Sequence, residues 1–219
     1  MIFDYGGVLT TSPFAGLEMW DAKMGLPVGS LREALFGDYH AGDGGGLVPQ
    51  LERGEITIAD FTTELAGLFA DVPREPSDDR SDREPLDFGR LLGSYEFGVH
   101  WMMVARARRL RDEGYRVGLL TNNVKEYGDA WRATIPVEIF DDIVDSSVVG
   151  VRKPDARIFL MAAERLGVTP PQCVFLDDVA SNVEGAQAVG MAGIVVDSPW
   201  AAIEELDRVL ASAENSDIS

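Results

Sequence analysis

The sequence of 219 residues has little cysteine and histidine, and each scarcity excludes a class of protein. The single cysteine, Cys173, cannot form an internal disulfide, which fits a reducing compartment. With one cysteine and two histidines, the chain offers no cluster of soft metal ligands. It has neither the ~20-residue apolar run of a membrane-spanning helix nor the basic, then apolar start of a secretion signal. We therefore expect a cytoplasmic protein.

Lysine is also scarce, and the 37 acidic residues outnumber the 19 lysines and arginines. The formal net charge is -18, and the lysines are Lys23, Lys125 and Lys153. Such a field repels nucleic acids and anionic membranes, so neither is expected as a partner. It also repels phosphorylated metabolites at long range, so an anion site in this protein would need local positive charge.

Helices and strands alternate regularly in the second half of the chain. Hydrophobic residues make up 46% of the sequence, which is a globular composition. The patterns predict helices at 99–113, 155–166 and 183–189, a last helix opened by Ser198 and Pro199, and strands at 115–120, 173–176 and 192–196. This alternation predicts an α/β fold with a parallel sheet covered on both faces. In such sheets the ligand site lies beyond the carboxyl ends of the strands.

The segment from about residue 14 to residue 97 has a different pattern. It carries helical signals and no convincing strand. Ser30 with Glu33 fits a capping box, and a second helix is expected at 57–70, with Asp60 near its start. The charged, proline-rich stretch 71–85 is expected to be a solvated loop. We therefore expect a helical insertion between the first strand and the rest of the sheet.

Polar side chains follow several predicted strands at the point where each strand ends. They are Asp4, followed by Gly6 and Gly7; Thr121, Asn122 and Asn123; and Asp177 and Asp178, with Asn182 one helical turn later. Lys153 adds a positive charge in a loop before Pro154. Taken singly, each of these is as typical of a turn or a helix cap as of a site. Their joint occurrence at one edge of one sheet is what indicates a site.

This set of residues suits phosphoryl transfer. Two carboxylates about 4 Å apart repel each other by roughly 4 kcal/mol at an effective dielectric of about 20, and a hard divalent cation such as Mg²⁺ removes that repulsion. A carboxylate can attack phosphorus to form an acyl phosphate. Mg²⁺ and Lys153 would offset the repulsion between the two anions. Thr121 and Asn122 would orient the phosphoryl oxygens.

In these motifs the sequence resembles the haloacid dehalogenase superfamily, in the subclass with a helical cap after the first motif. The four motifs are FDYGGVLT, LLTNN, VGVRKPD and VFLDDVASNVEGAQAVGM, and together they span nearly the whole chain. LERGEIT and the FLDD stretch also resemble the N-terminal phosphatase domain of soluble epoxide hydrolases. The resemblance implies a Rossmann-like core of residues 1–13 and 98–219 and a small helical cap domain of residues 14–97.

The resemblance also implies a role for each site residue. Asp4 would be the nucleophile, with Thr121 and Lys153 completing the catalytic set. The phosphate or substrate would bind Thr121, Asn122, Lys153 and Gly7, and Mg²⁺ would bind Asp4, the carbonyl of Gly6, Asp178, Asp177 and Asn182. The implied partner is a small phosphorylated molecule, and relatives of this kind are monomers or homodimers.

Gly6 departs from the family pattern. Most phosphatases of the family have a second aspartate there, which protonates the leaving group and then activates water. A glycine keeps the main-chain carbonyl but loses this acid, and general acid–base help is typically worth roughly 10²–10⁴-fold. We therefore expect weak activity, or activity confined to substrates with good leaving groups. Because three residues precede Asp4, we also expect a short first strand.

The function that these residues favour is a Mg²⁺-dependent phosphatase acting on a small phosphorylated metabolite through an aspartyl phosphate. Phe14, Trp20 and Phe36 in the cap could line its pocket or pack in the cap core. One alternative is a 2-haloacid dehalogenase with Asp4 attacking carbon, but that reaction needs no metal and no acid pair in the fourth motif. A second alternative is a binding protein with impaired catalysis, which Gly6 supports.

Overall fold

Five short parallel strands form the centre of the protein. The computed structural model describes residues 1–12, 17–36, 46–70 and 98–216. The strands are β1 (Ile2–Phe3), β2 (Gly118–Thr121), β3 (Asp142–Asp145), β4 (Val174–Asp177) and β5 (Ala192–Val195). They lie in the order β3-β2-β1-β4-β5, and every neighbouring pair is parallel. The expected α/β fold with a parallel sheet is confirmed, and the first strand is short, as expected.

The helices of the described residues fall into two groups. Four lie before residue 98: α1 (Leu17–Lys23), α2 (Ser30–Phe36), α3 (Leu47–Glu52) and α4 (Ile58–Leu68). The others are α5 (Trp101–Asp112), α6 (Ser146–Val149), α7 (Ala156–Arg165), α8 (Ala180–Ala188) and α9 (Pro199–Ser216). Within the described part of the chain, none of these helices combines the length and the apolar character needed to cross a membrane. The predicted helices and strands after residue 98 are present, with shifted ends.

The sheet has apolar residues on both faces because successive side chains of a strand point to opposite sides. On one face Phe3, Leu119 and Leu176 pack with residues of α5 and α9, such as Met103 and Leu206. On the other face Ile2, Leu120 and Phe175 pack with residues of α7 and α8, such as Phe159 and Ala186. The strands of a sheet covered on both sides are therefore nearly continuous apolar runs.

Strand β3 was not predicted from the sequence. Its four residues are Asp142, Ile143, Val144 and Asp145, so acids stand at both ends of a single apolar pair. The carboxylate of Asp145 accepts a hydrogen bond from the backbone N–H of Ser147 and thereby caps α6. A strand of this length and composition resembles a polar loop, and it forms because β2 pairs with it along its whole length.

The helices α1 to α4 bury a core of their own, whose members Leu31, Leu51, Phe61 and Leu65 are fully buried. The helix predicted at 57–70 is α4, with Asp60 near its start as expected, and Thr57 and Asp60 form a capping box there. Ser30 is the first residue of α2, and the carboxylate of Asp21 accepts from the backbone N–H of Leu31 at 2.9 Å. Trp20 packs against this core, while Phe14, the side chain of Phe36 and the stretch 71–85 lie outside the described part.

The helical insertion is joined to the sheet by a stem, which consists of residues 9–11 and 98–100. The backbone N–H of Thr11 donates to the carbonyl of Gly98 at 2.8 Å, and the N–H of His100 donates to the carbonyl of Leu9 at 2.8 Å. Thr10 and Val99 form an antiparallel bridge between them. The chain thus leaves the sheet and returns to it at one place. We propose on this basis that the cap comprises residues 14–97.

Candidate active site

The predicted site residues meet at the carboxyl ends of the three middle strands. Phe3 is paired with Leu119 on β2 and with Leu176 on β4, so the next residue, Asp4, lies beside Asp177. The backbone N–H of Asp4 donates to the carbonyl of Leu176 at 2.9 Å. Thr121 ends β2 and is buried, and its hydroxyl donates to the carbonyl of Asn122 at 3.2 Å. The sheet therefore fixes the backbone under each of these side chains.

Lys153 is buried at the centre of the site, with 1% of its surface exposed. Its ammonium Nζ lies 2.8 Å from Asp4 Oδ1 and 2.6 Å from Asp177 Oδ2, and it donates to the carbonyl of Leu120 at 3.2 Å. Burial acts to lower the pKa of Lys153, but the carboxylates of Asp177 and Asp4 outweigh it and raise the pKa. The ammonium stays charged, and its three hydrogens already have acceptors. A phosphoryl oxygen that binds Lys153 would have to share one of these hydrogens with its present acceptor.

Asp177 is fixed by its neighbours on every side. Its Oδ1 accepts from the backbone N–H of Val179 at 2.8 Å, and the side-chain amide of Asn182 donates to Oδ1 at 3.0 Å and to Oδ2 at 3.2 Å. The amide oxygen of Asn182 is buried with no hydrogen-bond partner among the described residues. Asn182 therefore lies against Asp177, where it orients the carboxylate.

Three carboxylates could hold a metal ion here. Asp4, Asp177 and Asp178 each offer an oxygen, and these oxygens lie within 4.8 Å of one another. Burial, with Asp177 and Asp178 adding to it, raises the pKa of Asp4 well above its usual range. Burial and then Asp177 raise the pKa of Asp178 to about 6. Three acids thus share one lysine, and a hard divalent cation with oxygen ligands would supply the missing positive charge. The residues fit Mg²⁺.

Gly7 makes room for one of these acids. It has a φ of 81°, and a Cβ added to it would overlap the carboxylate of Asp178. The side chain of Ser12 also hydrogen-bonds Asp178. Gly7 was predicted to bind the phosphate or substrate, and the structure places it directly against Asp178. Gly6 is partly exposed and is not among the glycines with a positive φ.

Replacing Gly7 by alanine is expected to displace Asp178. We expect the affinity for Mg²⁺ to fall by roughly 10–100-fold, the range seen when groups that orient metal ligands are removed. Titration calorimetry with Mg²⁺ measures this directly. Gly114→Ala is the matched control, because Gly114 has a φ of 94° and nothing within 4 Å of an added Cβ. Equal losses of affinity in both variants would mean that backbone strain, rather than contact with Asp178, is responsible.

The sequence did not indicate a role near the site for two buried charged residues. Glu52 and Arg152 are 6% and 4% exposed, and Arg152 Nε lies 2.7 Å from Glu52 Oε2. Asn122, predicted to bind a phosphoryl oxygen, accepts from the backbone N–H of Lys153 at 2.9 Å and donates to its carbonyl at 3.2 Å. For the ion pair, the sequence did give one signal, which is that Arg152 stands directly before Lys153. Its partner Glu52 is 100 residues away in sequence, so the pairing was not visible.

Known proteins are similar to this chain in sequence and in fold. The mouse acyl-CoA dehydrogenase family member 10 is 30% identical over 211 residues, which are 96% of this chain and 19% of the relative. The pig bifunctional epoxide hydrolase 2 is 30% identical over 223 residues, which are 95% of this chain and 38% of the relative. The chain thus spans less than two fifths of the length of these relatives. The expected similarity to soluble epoxide hydrolases is confirmed.

Two further proteins match along almost their whole length. A phosphatase of Mycobacterium tuberculosis is 28% identical, over 97% of this chain and 93% of the relative. The fold of a haloacid dehalogenase family enzyme of Bacteroides thetaiotaomicron, solved as a magnesium complex, matches with a TM-score of 0.61 at 22% identity, over 91% and 94% of the two chains. The model of the haloacid dehalogenase-like hydrolases matches residues 1–190. The chain therefore belongs to the haloacid dehalogenase-like hydrolase family.

Proposed function

We propose that the protein is a Mg²⁺-dependent phosphatase that hydrolyses a small phosphorylated metabolite through an aspartyl phosphate on Asp4. The observation that carries the proposal is the buried Lys153 between Asp4 and Asp177, with Asp178 in the same cluster. Two relatives support it. The Mycobacterium tuberculosis protein is a phosphatase, and the Bacteroides thetaiotaomicron enzyme was also solved with magnesium and inorganic phosphate.

The first step of the proposed reaction is attack by a carboxylate oxygen of Asp4 on phosphorus. A bond forms between this oxygen and phosphorus, and the bond between phosphorus and the leaving oxygen breaks. The leaving oxygen takes a proton from solvent, because Gly6 has no side chain to supply one. Water then attacks phosphorus and frees phosphate and the Asp4 carboxylate. Asp4 is suited to this part because Lys153 and the backbone of β4 hold it in one orientation.

The other residues of the site would bind and orient the phosphoryl group. Lys153 would share one of its hydrogens with a phosphoryl oxygen. Thr121 would turn its hydroxyl away from the Asn122 carbonyl and donate to a second phosphoryl oxygen. Mg²⁺, held by Asp4, Asp178 and the carbonyl of Gly6 with Asp177 in support, would supply positive charge that offsets the repulsion between the Asp4 carboxylate and the phosphoryl group. Asp177 would hold Lys153 and would itself be held by Asn182. The helical insertion would select the substrate.

Phosphate release by the unmodified protein tests the proposed function. We expect release from p-nitrophenyl phosphate that falls to background when EDTA removes divalent ions and returns when Mg²⁺ is added in excess. A panel of phosphorylated metabolites then identifies the preferred class. Chloride release from 2-chloropropionate without a metal would instead mean a dehalogenase. Binding of phosphate compounds without turnover anywhere in the panel would mean a binding protein.

A further inference from the structure

The ion pair of Glu52 and Arg152 has no part in the chemistry proposed above. Glu52 is the last residue of α3 in the helical insertion, and Arg152 lies on the sheet side, directly before Lys153. Both side chains are buried, and their contact at 2.7 Å removes two charges from water together. Removing one partner of such a pair leaves an uncompensated buried charge. The pair therefore ties the insertion firmly to the segment that carries Lys153.

A second contact leads from Glu52 to Lys153. The side-chain amide of Asn122 donates to Glu52 Oε2 at 3.3 Å and to the carbonyl of Lys153 at 3.2 Å. The oxygen of the same amide accepts from the backbone N–H of Lys153 at 2.9 Å. Glu52 thus contacts the residue before Lys153 in sequence and the side chain that holds the backbone of Lys153 on both sides. The orientation of the buried ammonium depends on this backbone.

The end of α3 is docked on the sheet side by its backbone as well. The hydroxyl of Ser146, the first residue of α6, donates to the carbonyl of Glu52. The loop after β2 makes two further contacts with the insertion. The carboxylate of Glu126 accepts from the backbone N–H of Ile58 at 2.8 Å, and Val124 is buried in the core of the insertion. Movement of the insertion would therefore pull on Glu52, Asn122 and Arg152 together.

We propose that Glu52 is a positioning residue through which the helical insertion fixes Lys153 in its active orientation. The proposal rests on the proposed function, since Lys153 must act on a phosphoryl group for its orientation to affect a rate. Both parts of the protein then position residues of the active site. The insertion holds Lys153 through Arg152 and Asn122, and the sheet holds Asp4 and Asp177.

Two variants of Glu52 test the proposal by steady-state kinetics with p-nitrophenyl phosphate. Glu52→Ala removes the contacts with Arg152 and Asn122, and we expect kcat to fall by about 10²-fold, the cost of a displacement of about 1 Å at a reacting centre, with a smaller change in KM. Glu52→Gln keeps an acceptor for Asn122 and Arg152 but not the negative charge, and we expect it to restore part of kcat. Glu55→Ala is the matched control, because Glu55 lies in the same segment and pairs with Arg53 at the surface.

Hydrogen exchange measured by mass spectrometry gives a second readout that needs no activity. In Glu52→Ala we expect faster exchange at the amide of Lys153, with the protection of β4 unchanged. Unchanged kcat and unchanged exchange at Lys153 would overturn the proposal. Equal loss of protection in β4 would overturn it too, because Glu52 would then only stabilise the fold. Faster exchange at Lys153 in a protein that never releases phosphate would support the structural link and count against the proposed function alone.

Discussion

Replacing Asp4 by asparagine is expected to abolish phosphate release. Asparagine has nearly the same shape, but its amide is a poor nucleophile and cannot form the acyl phosphate. We expect kcat to fall by more than about 10³-fold, since only orientation and charge would then contribute to the residual rate. Phosphate release from p-nitrophenyl phosphate under saturating Mg²⁺ measures the loss.

The fold is expected to tolerate this change. Burial and two neighbouring acids already disfavour the charged form of Asp4, so removing its charge relieves the crowding of carboxylates. Lys153 keeps Asp177 as an ion-pair partner at 2.6 Å. Thermal unfolding should therefore show a folded variant that melts cooperatively.

Asp178→Asn is the matched comparison for the nucleophile. Asp178 belongs to the same cluster but forms no acyl phosphate in the proposed reaction. We expect excess Mg²⁺ to restore part of the activity of Asp178→Asn and none of the activity of Asp4→Asn. Substantial phosphate release by Asp4→Asn at any concentration of Mg²⁺ would contradict the assignment of the nucleophile.

The second prediction with a large effect is a gain in the rate of phosphate release. Replacing Gly6 by aspartate is expected to raise the rate on an alkyl phosphate such as glycerol phosphate by roughly 10²-fold, the lower end of what general acid–base catalysis provides. An alkoxide leaves poorly without a proton, and the new carboxyl group would supply it. The gain on p-nitrophenyl phosphate should be smaller, because nitrophenolate leaves easily without one. The backbone allows the change, since Gly6 is not among the residues with a positive φ.

Gly6→Asn separates proton transfer from shape. Asparagine matches aspartate in size and cannot exchange a proton with the leaving group. We expect Gly6→Asn to show no gain on either substrate. Equal gains in the two variants would show that ordering of the loop, and not acid catalysis, had limited the unmodified protein.

Much of the sheet could be predicted from sequence because its strands are buried on both faces. A run such as Val174, Phe175 and Leu176 is apolar throughout, and a helix stop precedes it at Gly167. Strand β3 lacked this signal, since acids flank its two apolar residues. Its place follows from pairing with β2, which is a long-range effect. The capping of α2 by Asp21 was missed for a related reason, because the cap lies in the preceding helix.

The site could be predicted as a set of positions but not as a set of contacts. The register of a parallel sheet brings the ends of β1, β2 and β4 together, so the convergence of Asp4, Lys153 and Asp177 followed from strand ends and one loop. The contacts of Asn122 did not follow, because they depend on how the loop before Pro154 folds back. The contacts of Glu52 did not follow either, because this residue belongs to the insertion and is far in sequence from Asn122 and Arg152.

The stem of residues 9–11 and 98–100 bears on how such a protein can diverge. Because hydrogen bonds join its two sides, the segment between them closes a loop whose ends already meet. Loop-closure entropy grows only with the logarithm of length, so doubling such a segment costs about 0.6 kcal/mol. Insertions of different length and sequence can therefore be exchanged at this point while the acids on the sheet stay in place. Under the proposed function, substrate preference and chemistry can then evolve at separate rates, provided that each new insertion keeps an acid to meet Arg152.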